Sequence, residues 1–296
     1  FKNIDLSFMS DISNKYLSRI KGKFTGSFDI SGNTLKTEYF LDGQIVDAYW
    51  GSLPLGTVVG TGLYKNKRLA FEKFSSKIDK NRIVGNANIP VDIDLISRSR
   101  KISPNAKIEL YTEGTFRSAE FISTYISEID SIIGDINIKF NVKGPRKSLS
   151  RNGNINLSNA SIYSVLMDEP IKKINAQAEL INNKMNIESF TGSLSDSDGR
   201  KVENNNLSIS GNIDFTKFFE PRYGINAKGK NIFYRSLNQD IESYADLEVF
   251  ISGKDTIDVS GTISARNGAI YKEFIGSESS LDSDEQGRVI TSYNIR

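Results

Sequence analysis

Gly134-Asp135-Ile136-Asn137-Ile138-Lys139-Phe140-Asn141-Val142-Lys143-Gly144 alternates apolar and polar residues between two glycines. Ile136, Ile138, Phe140 and Val142 fall on one side of an extended chain. Asp135, Asn137, Lys139 and Asn141 fall on the other. Period two over this length is the signature of a β-strand with one apolar and one polar face. The same layout stands 112 positions earlier as Gly22-Lys23-Phe24-Thr25-Gly26-Ser27-Phe28-Asp29-Ile30-Ser31-Gly32. Its tail returns as Leu247-Glu248-Val249-Phe250-Ile251-Ser252-Gly253.

Further landmarks follow each copy in the same order. Gly153-Asn154-Ile155-Asn156-Leu157-Ser158-Asn159-Ala160-Ser161-Ile162 matches Gly261-Thr262-Ile263-Ser264-Ala265-Arg266-Asn267-Gly268-Ala269-Ile270, and Lys36 to Ile45 is a weaker copy ending Asp42-Gly43-Gln44-Ile45. The Asn/Asp-Gly/Ala step reads as a turn or bulge. Tyr64 to Phe74 matches Leu180 to Phe190, each with a two-residue connection, Asn66-Lys67 or Asn182-Asn183, suited to a tight hairpin. Gly85-Asn86-Ala87-Asn88-Ile89-Pro90 matches Gly211-Asn212-Ile213-Asp214-Phe215. We read unit 1 over 1–117, unit 2 over 118–242 and a partial unit 3 over 243–296, as one continuous body. A repeat that cannot bury its apolar face alone stacks on its neighbours, so an elongated molecule is expected. The partial third unit and the start at Phe1 lead us to expect a piece of a longer chain.

The expected fold is all-β: an elongated, curved, mainly antiparallel sheet of roughly 16–18 strands, forming a taco-like trough with an apolar interior. Short capping helices are expected at 118–133, where Phe121, Ile122, Tyr125, Ile126, Ile129 and Ile133 form a stripe, and at 10–20 with Ser10 as N-cap.

Composition narrows the function. The chain has 38% hydrophobic and 25% charged residues, few prolines (6), and 38 basic against 36 acidic residues for a net charge of +2. That near-neutrality gives no reason to expect nucleic acid. The basic clusters Arg98/Arg100/Lys101 and Lys143/Arg146/Lys147/Arg151 read as solvated turns. There is no Cys and no His. Thiolate chemistry, disulfides, soft-ligand zinc sites and imidazole acid–base catalysis are therefore excluded. Gly56-Thr57-Val58-Val59-Gly60-Thr61-Gly62 lacks the Lys-Ser/Thr of a phosphate loop. Asp196-Ser197-Asp198-Gly199 lacks the distal Glu of a calcium loop. The acidic stretch Glu278 to Glu285 reads as a loop. No catalytic residues, no metal and no cofactor are expected, and the chain is not expected to be an enzyme.

The ordered landmarks resemble the TamB family, within the AsmA-like group of bridge-type lipid-transfer proteins. The resembling pattern is Gly22 to Gly32, then Asp42-Gly43-Gln44-Ile45, then Gly60 to Phe74, then Gly85-Asn86-Ala87-Asn88-Ile89-Pro90-Val91-Asp92. Gly261 to Ile270 resembles the family's C-terminal region. The likeness covers most of 16–275; Lys36-Thr37-Glu38 and 276–287 depart from it. The resemblance implies a trough-shaped sheet in the periplasm of a double-membraned bacterium, with the parent chain anchored in the inner membrane through parts absent here. It further implies a partner barrel of the Omp85 type in the outer membrane. The implied roles are phospholipid transport between the membranes and outer-membrane protein assembly or secretion.

Phospholipid acyl chains are the expected ligand. The candidate rungs of the lipid groove are Phe28, Ile30, Phe71, Ile138, Phe140, Val142, Ile155, Leu157, Ile187, Ile213, Val249, Ile251, Val259 and Ile263. Without the resemblance, the same alternation fits a structural or adhesive β-repeat with a dry core and no lipid. A polysaccharide-active β-repeat is a third reading. It expects carboxylates and exposed aromatics together on one face, whereas Phe24, Phe28 and Phe140 lie on the apolar one.

Overall fold

The computed structural model describes residues 1–8, 20–34, 36–51, 53–93, 103–120, 123, 129–145, 147–165, 167–195, 205–216, 221–236, 238, 241–253 and 257–270. The possible calcium loop 196–199, the acidic stretch 278–285, the cluster at 98–101 and all but Ile20 of the expected helix at 10–20 lie outside them.

The strands are β1 (Ile4–Asp5), β2 (Ile20–Asn33), β3 (Lys36–Trp50), β4 (Leu53–Lys65), β5 (Arg68–Ile78), β6 (Asn81–Pro90), β7 (Lys107–Ser118), β8 (Ile129–Pro145), β9 (Ser150–Ser164), β10 (Ile171–Ile181), β11 (Lys184–Ser193), β12 (Leu207–Asp214), β13 (Arg222–Arg235), β14 (Ile241–Gly253) and β15 (Ile257–Ile270). They form a single fifteen-stranded sheet in strict sequence order. Every pairing is antiparallel, and the sheet does not close, since β1 and β15 are its two edges. Tight hairpins make this meander possible. Lys65 pairs Arg68 around Asn66-Lys67, and Ile181 pairs Lys184 around Asn182-Asn183. All four turn residues have positive φ, between 48° and 73°, as a type I′ hairpin requires.

The expected helix at 118–133 does not form as read. Ser118 ends β7 and Ile129 to Ile133 open β8, with most of the residues between them outside the described set. An isoleucine-rich run satisfies a helical stripe and a strand equally, and β-branched side chains favour the strand. Leu6–Phe8 forms a 3-10 turn.

A line of β-bulges runs across the strands close to one rim. Gly22 of β2 stands opposite Asp47-Ala48 of β3, and Gly134 of β8 opposite Asn159-Ala160 of β9. Further shifts occur at Lys173 and near Asn231. Gly22 and Gly134 have φ of 135° and 147°, while Asp47 and Asn159 have φ of 51° and 47°. A side chain at Gly134 would also run into the backbone of Ala160. Bulges bend the strand that carries them and sharpen its twist, so a row of them creases the sheet into a trough. The bulge pair therefore recurs at the 112-residue offset, but in the first copy it falls on Asp47-Ala48. Asp42-Gly43, read from sequence as the equivalent step, sits in regular pairing on both sides.

The dry core follows this crease. Ala48, Ala160, Ile174, Ile232 and Ala245 are buried along it. Phe116, Ala119 and Ile136 form one packed cluster, and Ala160, Ile174 and Ala176 a second. The sheet is a single layer, in which each strand packs principally on its neighbours in sequence.

Candidate functional site: an apolar trough

Antiparallel partners share a face, so the register can be followed across the sheet. Phe28 faces Leu41, Ile30 faces Tyr39, and Gly62 links Leu41 to Phe71. Phe71 leads through Ala87 and Leu110 to Val142. Ile138 then faces Ile155, Ile155 faces Ala178, and Ala178 faces Ile187. Ile213 faces Met185 and Tyr223, Ile225 faces Ile251, and Ile251 faces Val259. Leu157 stands beside Ile155, Phe140 beside Ile138, Val249 beside Ile251, and Ile263 faces Leu247. All fourteen candidate rungs thus lie on one continuous face.

That face is not sealed. Among the candidates only Val142 is buried; Phe28, Ile30, Val259 and Ile263 are exposed, and the remainder are half-buried. A dry sandwich core would bury them all. Aromatic rings also lie low over the floor. The Phe71 ring occupies the space where Gly62 lacks a side chain, and the Phe24 ring does the same at Gly26 and Gly43.

The rims are stitched by segments whose role the sequence did not reveal. After β6 the chain turns back. Val91 N–H donates to the Lys67 carbonyl (3.0 Å), the Tyr39 hydroxyl donates to the Ile93 carbonyl (3.0 Å), and Ile93 N–H donates to the Tyr64 hydroxyl (3.1 Å). Tyr64 is fully buried, and Phe28, Tyr39 and Tyr64 stand in a ladder with ring centroids 5.5 and 5.4 Å apart. The buried Asp92 carboxylate receives Lys67 Nζ at 2.9 Å. On the opposite rim, Leu194 N–H donates to Asn206 Oδ1 (2.9 Å), Asn206 Nδ2 returns a bond to the Leu194 carbonyl (3.0 Å), and Phe233 N–H donates to the same carbonyl (3.2 Å).

The outward face is mixed: Phe40, Val59, Leu63 and Phe250 are exposed on it, beside cross-strand ion pairs that include Lys65 with Glu38 (2.9 Å), Lys228 with Glu248 (2.6 Å), Arg117 with Asp135 and Arg266 with Asp246. Arg266 and the backbone N–H of Asn231 hold the Asp246 carboxyl below its ordinary pKa. The Gly56 to Gly62 run is no phosphate loop, because it lies inside β4. Among the described residues no group of three or more acidic side chains is placed to hold a metal, and no helix is long and apolar enough to cross a membrane.

The arrangement can bind long apolar chains by area alone. A trough of fifteen strands at about 4.8 Å each is roughly 70 Å long. Compared with family models, with curated proteins and with solved structures, the chain has no match in any of the three.

Proposed function

We propose that this chain is a segment of a periplasmic bridge, similar to the TamB and AsmA-like proteins, that holds phospholipid acyl chains in its trough and passes them between inner and outer membrane. In this reading the parent chain is anchored in the inner membrane and meets an Omp85-type barrel in the outer one. It serves lipid transport, outer-membrane protein assembly or secretion, and catalyses no bond change. The observation that carries the reading is the single apolar face, continuous from Phe28 to Ile263 and half-open along most of its length. Each methylene laid on such a face gains about 0.8 kcal/mol, so a two-chain lipid is held firmly. Rungs of similar size give no deep well, which lets it slide.

The test is organic extraction of the purified protein followed by mass spectrometry of the extract. Phospholipid bound in stoichiometric amount is expected. A Phe140→Asp/Ile155→Asp/Ile251→Asp variant that keeps its β circular dichroism should lose it. Lipid-free wild-type protein that also takes none from vesicles of phosphatidylethanolamine and phosphatidylglycerol overturns the reading in favour of a structural β-repeat.

A further inference from the structure

On the face opposite the trough, β7 to β10 border a shallow, largely open depression of about 320 Å³. Two neighbouring rows of side chains line it. Tyr111, Asn141 and Asn152 stand in register across β7, β8 and β9. Lys139, Asn154 and Glu179 stand in register across β8, β9 and β10.

We propose that this depression is a saccharide-binding site. Three of its six polar side chains, Asn141, Asn152 and Asn154, are neutral amides, each offering a donor and an acceptor a short distance apart, which matches adjacent sugar hydroxyls. With the Glu179 carboxylate in the lining and Glu113 3.9 Å from Lys139, the site has no excess positive charge to favour a phosphate. Tyr111 supplies a flat, partly exposed ring against which the apolar face of a sugar can lie. Its hydroxyl is fixed by donating to Glu113 Oε2 at 2.9 Å, which orients the ring without any ligand. Asn141, at the centre, has a side-chain oxygen shielded from solvent that accepts no hydrogen bond. Its polar side chains point to the face opposite the trough, while Phe140, Gly153 and Leu180 of the trough rows form its base.

The experiment titrates the folded protein with cellotetraose and with chitotetraose, by calorimetry and by amide NMR shifts. Saturable binding of at least one tetrasaccharide is expected, with shifts confined to β7–β10. Tyr111→Ala and Asn154→Ala/Glu179→Ala should each weaken it tenfold or more, while Lys228→Ala, on the same outer face but remote, should leave it unchanged. Absence of saturable binding to either sugar overturns the proposal. So does binding that persists in both site variants while their circular dichroism matches the wild type.

Discussion

Tyr64 shows how much one side chain holds in a single-layer sheet. Its ring is fully buried in the aromatic ladder, and its hydroxyl accepts the N–H of Ile93. Tyr64→Phe keeps the ring and strands that amide, so a loss of about 1–3 kcal/mol is expected in the denaturant midpoint. Asp92 is the second anchor. Its buried carboxylate meets Lys67, which is half in solvent. Asp92→Ala should destabilise more than Asp92→Asn, because the amide keeps hydrogen-bonding capacity where the methyl keeps none. Neither residue was legible as a rim clamp beforehand. Tyr64 was visible only as the start of a repeated segment, and Asp92 only as the end of a motif. The clamp depends on the chain turning back after β6, and no periodicity encodes that return.

At the scale of elements, the bulge line carries the shape. Gly134→Ala places a side chain at φ of 147° against the Ala160 backbone. A cost of about 1–3 kcal/mol is expected from the strained conformation, measured by chemical denaturation. Asp246 ties the later part of this line together, accepting bonds from Asn231 N–H on β13 and from Arg266 on β15. Its folded pKa is depressed, so its stabilising contribution is present above the unfolded carboxylate value and is lost as pH falls through the folded one. Wild-type protein should lose melting temperature below about pH 4 more steeply than Asp246→Asn, with thermal scans across pH 7 to 3 as the measure. The strands and hairpins were plain in the sequence, because alternation and Asn-rich pairs are local signals. The bulges were half plain. Asn159-Ala160 was read as a turn or bulge, and it is one. In the first copy Asp42-Gly43 was read as that step, whereas the bulge falls on Asp47-Ala48, where an Asp in left-handed conformation before a small residue serves. The helix read over 118–133 is strand at both described ends, Ser118 and Ile129 to Ile133, since an isoleucine-rich run suits a strand as readily as a helix.

For the whole molecule, the apolar face was legible residue by residue. Register can be inferred from alternation once the hairpins are fixed, and all fourteen rungs fell on one side. Openness was not legible, because alternation is the same whether a second sheet covers the face or not. Exposure of the trough also sets its vulnerability. Replacing Ile155 alone by Asp should leave the fold intact, since the side chain is only half-buried. Under the proposed function it should halt lipid passage at that rung while permitting binding on either side, read out by site-specific photocrosslinking of lipid along the trough.

Strict sequence order has a mechanical meaning. Every strand is zipped to the one made just before it and the one made just after, with no distant part of the chain needed to complete a layer. Such a body can be assembled from one end while the other is still being threaded through a pore. Pulled by its two termini, it should peel in small successive force steps from its free edges rather than rupture once.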